Sequence, residues 1–333
     1  MLEIGPLKIP MPAVQAALSG YSDIAMRRVA RAHGAALCFA EVVVDRLVLI
    51  KGKAQRRIFD LPADDHPVGG QIMGSEPDVF GEAADLMVVA GYDLIDINFG
   101  CPVNKVLGRC RGGFHLGQPD VALDIVRRVI DAVGSRVPVT VKMRRGLDDT
   151  TRSRNCFFTI LDGVFELGVA AVTVHGRTVQ QKYVGPSRQE FLYEVKQHVG
   201  DRVILGSGDL FTPDRVRAML EDTGVDGVSV ARGCIGNPFI FGQIERLLAG
   251  REVGPGPTLE EQRAAILMHW ESACQFYGEQ LGLRRTRTHA IKYAALHPDS
   301  VEVRDAFVRT RKPEELLVVL DRWYGHAAVE SAD

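Results

Sequence analysis

Leu94-Ile95-Asp96-Ile97-Asn98-Phe99-Gly100-Cys101-Pro102 decides how this chain folds. Residues 94–98 mix apolar and polar side chains as a strand does, and Gly100 and Pro102 then deny the backbone a smooth continuation into sheet or helix. A thiol therefore stands on a shaped loop at the carboxyl end of a strand. Free cysteine is among the most buried residue types, so Cys101 taken alone could simply pack. Its meaning depends on what the rest of the chain places beside it.

Outward from this stretch, short apolar runs alternate with helical patterns eight times, at residues 12–16, 37–42, 68–73, 94–98, 137–143, 171–175, 203–207 and 227–231. Residues 77–91, 120–133, 154–167 and 213–223 have the periodicity of amphipathic helices, the last opened by Thr212 and Pro213. Eight such units predict an α/β chain whose parallel sheet closes into a (β/α)8 TIM barrel. A helix over 238–248 is followed by Gly254-Pro255-Gly256-Pro257, which neither helix nor strand can cross. The expected division is a barrel domain over 1–250 and a small helical domain over 257–333. Thr258 and Glu261 have capping-box spacing and open a helix through about residue 276, with further helical patterns at 286–296 and 313–324.

A chain of 333 residues, 46% hydrophobic, can bury a large core. No apolar run reaches the ~18 residues of a membrane span, and residues 1–12 lack the basic and apolar regions of a signal peptide, so a cytoplasmic protein is expected. The six cysteines are scattered without a Cys-x-x-Cys pair, which predicts reduced thiols and no metal site. Net charge is −2, so a polyanionic partner must be held by a local basic face. Between residues 283 and 313, Arg284, Arg285, Arg287, Lys292, Arg304, Arg309, Arg311 and Lys312 outnumber three acids. From charge alone, a solvated helix surface is the plainer account of that cluster. A monomer is expected.

In a barrel of this kind the active site lies at the carboxyl ends of the strands. Those ends present Ala17-Leu18-Ser19-Gly20, Gln71, Asn98 with Cys101, Lys142 with Arg144, His175-Gly176-Arg177, Ser207-Gly208-Asp209 and Ala231-Arg232-Gly233. Loops after the last two strands usually cradle phosphate, where Gly lets backbone N–H groups approach an anion and Arg supplies a fork. Lys142 projects from an otherwise apolar strand and needs an anionic or carbonyl partner. Gln71 offers a donor and an acceptor to an amide-like ring edge, and the small residues 17 and 19 leave room for a flat ligand. Each residue has a bland alternative: Gln71 satisfying backbone, Lys142 pairing with Asp96, His175 a satisfied core histidine, the glycines plain turns. Their convergence on one rim fits flavin mononucleotide (FMN).

Seven segments in order, residues 17–23, 71–74, 96–102 with Lys105, 141–144, 175–178, 207–209 and 231–233, resemble the dihydrouridine synthase family of bacterial type. The resemblance covers nearly all of residues 10–330. It implies flavoenzymes that reduce specific uridines in tRNA with NADPH, hydride going to C6 of the uracil and Cys101 protonating C5. It further implies that Ala17, Leu18, Ser19, Gln71, Lys142, His175, Ser207, Gly208, Asp209, Ala231 and Arg232 lie against FMN. Asn98, Lys105, Arg144 and Arg177 are the expected substrate contacts at the mouth, and Arg285 and Arg287 those of a tRNA-binding helical tail. The chain departs from the family in having Ala17-Leu18-Ser19 for Pro-Met-Ala and Ser207-Gly208-Asp209 for Asn-Gly-Asp. It also carries Arg109, Cys110, Arg111, Phe114 and His115 where the family favours small residues, and Cys110 is the alternative acid.

Other readings are an rRNA-directed dihydrouridine synthase, another FMN barrel enzyme of dihydroorotate or dihydropyrimidine dehydrogenase type, and a non-catalytic RNA-binding descendant. The first shares every motif above; the second would not need the basic tail, and the third would not need flavin.

Overall fold

A computed structural model describes residues 1–325; residues 326–333, the end of the expected helical domain, lie outside the described residues. The chain begins with a hairpin that the periodicity above does not show, β1 (Leu2–Ile4) paired antiparallel with β2 (Leu7–Ile9). Leu2, Ile4 and Ile9 are buried with Val14, Leu37, Leu94, Ala171 and Leu205. The hairpin therefore closes the amino-terminal floor of the sheet and leaves its carboxyl rim open.

The sheet consists of β3 (Ala13–Gln15), β4 (Cys38–Phe39), β5 (Val43–Val44), β6 (Val68–Met73), β7 (Leu94–Phe99), β8 (Val139–Arg144), β9 (Ala171–His175), β10 (Ile204–Ser207) and β11 (Gly227–Val230). All its pairings are parallel, and because β4 pairs with both β3 and β6 while β11 pairs with β3, eight strands close into a ring. This is the expected barrel. Of the expected strand over 37–42 only β4 forms; β5 lies just beyond it, and between them Glu41 accepts the Gly20 N–H at 2.5 Å. Amphipathic helices, among them Pro77–Ala90, Pro119–Val133, Thr151–Glu166 and Pro213–Thr223, cover the sheet. Strands such as β6 and β7 are buried at every residue, as both faces of a helix-covered parallel sheet must be.

The last described fifth of the chain is helical: Leu259–Tyr277, Glu279–Tyr293, Ser300–Arg309 and Pro313–Tyr324. Thr258 and Glu261 form the expected capping box, with Glu261 accepting the Thr258 N–H at 2.7 Å. Gly278, at φ +74°, ends the first of these helices and starts the second. Ile266, Leu283, Val303, Phe307, Leu316 and Leu320 share a core that also takes in Val29 from the helix Ile24–Ala32 and Phe239 just before the helix Ile240–Leu248. At ~1.5–3 kcal/mol for each large apolar side chain buried, this seam holds the helices against the barrel.

Candidate active site

Strand register brings the predicted residues together. Across the parallel ladder Gln71 faces Asp96, Asn98 faces Lys142, Arg144 faces His175, and His175 faces Ser207. All of these but Asp96, together with the loops after β3, β10 and β11, line a cavity of about 650 Å³ at the carboxyl rim. Every residue expected against the cofactor lines it, as do Cys101, Asn98 and Arg144.

A buried chain of polar groups forms one wall. Thr140 Oγ1 donates to Asp96 Oδ1 and Gln71 Nε2 to Asp96 Oδ2, both at 2.6 Å, and Asn98 Nδ2 donates to Gln71 Oε1 at 2.7 Å. Burial pushes the Asp96 carboxyl up, opposed by the Thr140 and Gln71 hydrogen bonds. The bonds fix which face of Gln71 is spent within the protein and which remains for a ligand. At the other end of Asn98, Oδ1 accepts the backbone N–H groups of Gly100 and Cys101, each at 3.0 Å. Asn98, expected to touch substrate, thus shapes the loop that carries the thiol. Arg144 completes that loop, donating to the carbonyls of Gly100 (2.9 Å), Thr178 (2.8 Å) and Lys182 (2.7 Å).

The floor is cationic. Lys142 reaches Ser207 Oγ at 3.4 Å. Burial lowers its pKa to about 8, with Asp96 opposing and Arg144 assisting. An ammonium held this way is ready to gain an anionic neighbour. His175 is driven down to about 2, first by burial and then by Arg144, Lys142, Arg177 and Arg232. It is a neutral imidazole. Because its Nδ1 accepts the Arg177 N–H at 3.1 Å, the proton resides on Nε2, making His175 a hydrogen-bond donor toward a ligand.

The far wall is a cradle built from the β10 and β11 loops. Gly208 has φ +122°, and a Cβ on Gly233 would meet the Leu210 carbonyl oxygen at 1.9 Å, so neither loop tolerates a side chain there. The Arg232 guanidinium lies near two rings, its Cζ 5.0 Å from the Tyr183 centroid and 5.2 Å from that of Phe211, and it is 3.5 Å from Asp209. Asp209 itself takes two 2.7 Å bonds from Arg177 and the Ser187 N–H at 2.9 Å. Burial works against its charge, but those partners hold its carboxyl below the usual range. The cavity shape and the Arg232 fork suit a phosphate, while Gln71 and Lys142 suit a polar ring edge.

Four expected contacts lie elsewhere. Arg177 is buried beneath the cavity, bonded to Asp209 and to the Gly185 carbonyl. Lys105 is exposed on the short helix Asn104–Leu107. Arg285 faces Glu41 at 3.6 Å and stacks over Tyr277, and Arg287 donates to the Thr310 carbonyl at 2.7 Å. Tyr183, Phe211 and Lys292 line the cavity but carry no sequence period that would reveal them. Lys292, on the helix Glu279–Tyr293, is the cavity's sole lining residue from the helical region among the described residues.

A family model described as dihydrouridine synthase matches residues 14–330. A probable tRNA-dihydrouridine synthase of Rickettsia bellii is 34% identical over 307 residues, 92% of each chain. tRNA-dihydrouridine synthase B of Xanthomonas campestris is 33% identical over 318 residues, 96% of this chain and 94% of that one. Among solved structures, histamine dehydrogenase from Rhizobium sp. 4-9 shares the fold with TM-score 0.58 at 15% identity, over 81% of this chain and 50% of that one. A 2-naphthoyl-CoA reductase does so with TM-score 0.59 at 11% identity, over 75% and 52%. With the barrel closed, a rim of this chemistry and a match running through almost the whole sequence, the chain belongs to the dihydrouridine synthase family and is an oxidoreductase.

Proposed function

We propose that this enzyme reduces the C5=C6 bond of uridine in tRNA to dihydrouridine, with FMN as resident cofactor and NADPH as reductant. One observation carries the reading: a single cavity is lined by Arg232 and the two glycine turns, by Gln71 and Lys142, and by Cys101. Its volume, about 650 Å³, is in the range of cofactor sites. Arg232, held near the Tyr183 and Phe211 rings, and the side-chain-free turns at Gly208 and Gly233 fit a terminal phosphate. A mononucleotide flavin is preferred because one such fork closes the wall.

When bound, the flavin supplies the hydride for C6. The protein's residues do the rest. Lys142 and Gln71 hold the ring edge, and His175 offers a neutral N–H donor. Asn98 and Arg144 fix the loop that sets Cys101 at the mouth, from which the thiol gives its proton to C5, so that one hydride and one proton complete the two-electron reduction. A uridine reaches this depth only when turned out of its stack, at a cost of a few kcal/mol. Cations at the mouth, Lys292 first among them, offset that by holding neighbouring phosphates.

The test uses the purified protein, NADPH, and unmodified tRNA or rRNA transcripts, with dihydrouridine read by nucleoside mass spectrometry. We expect product in tRNA, lost with Cys101→Ala while flavin stays bound. Product in rRNA alone, or a colourless protein that accepts no flavin, would overturn the reading.

A further inference from the structure

Behind the loop of residues 17–22, away from the chemistry of the rim, two histidines and an aspartate meet in the seam between the barrel and the helical region. Asp23 caps the helix Ile24–Ala32: its Oδ1 accepts the Met26 N–H at 3.1 Å, while Oδ2 is buried with no hydrogen-bond partner among the described residues. His269 comes from the helix Leu259–Tyr277 and is 1% exposed, and neither of its ring nitrogens has a partner among the described residues. His289 comes from the next helix, 2% exposed, its ring centroid 4.2 Å from that of His269. The His289 ring also meets the Tyr21 ring edge-on, centroids 5.4 Å apart. One ligand atom from each of the three residues lies within 4.8 Å of the others.

Leaving a buried polar group unpaired costs ~1–3 kcal/mol, and here a carboxylate oxygen and two imidazole nitrogens go unpaired in one place. An ion shared with His289 takes the Asp23 oxygen and one nitrogen of His269, whose other ring nitrogen carries the proton. Tetrahedral zinc bonds of ~2.0–2.2 Å set ligand atoms roughly 3.3–3.6 Å apart, so side-chain rotations of about an ångström close the triad. Two imidazoles and one carboxylate suit a zinc-class ion and not calcium or magnesium, which take oxygen.

We propose that Asp23, His269 and His289 bind one zinc-class divalent ion, which fastens the helical region to the loop that walls the active-site cavity. The ion is structural. Water takes the fourth position, and the helical region is thereby held at a fixed angle to the mouth, where Lys292 sits.

The full-length protein, stripped with chelator and dialysed, would be titrated with Zn2+ by calorimetry and with Co2+ by visible absorption. We expect one equivalent bound, a four-coordinate Co2+ spectrum, and a melting temperature that rises with Zn2+ concentration. His269→Gln and His289→Gln should each weaken binding by ~100-fold or more. Asp23→Asn keeps the helix cap, because Asn caps as well as Asp, and removes only the carboxylate, so it serves if a histidine variant does not fold. Absence of Zn2+ binding by the wild type, or wild-type affinity in Asp23→Asn, overturns the proposal. Retained dihydrouridine synthesis by the stripped enzyme would leave the proposed activity standing, so the two fail separately.

Discussion

The side-chain oxygen of Asn98 accepts the backbone N–H of Cys101 at 3.0 Å, so the residue proposed to give the proton is positioned by the last inward-facing polar residue of its own strand. Losing that bond leaves the thiol present but misplaced, and misplacement of about 1 Å costs up to ~10²-fold in rate. Asn98→Ala should therefore slow dihydrouridine formation by ~10–10²-fold, and Cys101→Ala by ~10²-fold or more. Cys110→Ala should be silent, since Cys110 is exposed on the outer loop. Single-turnover rates on tRNA check all three, and a silent Cys101→Ala beside an inactive Cys110→Ala would reverse the assignment.

Lys142 gives a pH dependence of defined sign. Its folded pKa, about 8, lies below its usual 10.5, so the unfolded chain binds the proton more tightly between those values. The protein without cofactor should thus gain stability as pH rises from 8 to 10.5. Flavin binding should run the other way, because an anionic ring edge needs the ammonium: affinity should fall by up to ~10-fold per pH unit above 8. Lys142→Met should abolish both trends. Flat profiles in the wild type, from thermal melts and flavin fluorescence titration, would show that Lys142 does not face the ring.

The guanidinium of Arg232 predicts a sharp difference between two conservative changes. Arg232→Ala should weaken FMN binding by ~10–150-fold, the worth of a charge-assisted hydrogen bond, with little effect on the rate of the loaded enzyme. Arg232→Lys should recover little, because an ammonium lacks the planar fork that contacts the Tyr183 and Phe211 rings and presents two N–H groups to a phosphate. Equilibrium dialysis reads both, and full recovery by lysine would mean a point charge suffices.

Much of this was legible in the sequence where one strong constraint acted. Strands β6 and β9 and the helices Pro213–Thr223 and Pro313–Tyr324 have the bounds that apolar runs and proline at the first turn dictate. The rim residues were legible because a barrel presents all strand ends on one side. The hairpin of β1 and β2 was not, since three-residue strands show no period. Nor was the inward turn of Arg144 and Arg177: an arginine at a strand end reads as a ligand contact, and only the structure shows carbonyls and Asp209 consuming it. The triad of residues 23, 269 and 289 lay hidden because its ligands come from three helices or their caps, far apart in sequence.

The helical region gives the last prediction, which revises what charge counting alone implies. Each cation that neutralises a phosphate adds roughly one unit to the slope of log affinity against log salt, so Arg285 and Arg287 together would contribute ~2. Yet Arg285 faces Glu41 and lies over Tyr277, and Arg287 donates to Thr310, whereas exposed Lys292 lines the cavity mouth. Lys292→Ala should flatten the salt slope of tRNA binding by ~1, while Arg285→Gln with Arg287→Gln should flatten it by well under 2 and show instead as lost thermal stability. Filter binding across a salt series, with flavin content as the folding control, measures both. A slope unchanged by Lys292→Ala and reduced by two in the double variant would place the RNA on the far side of the Glu279–Tyr293 helix, with Arg285 breaking from Glu41 to meet it.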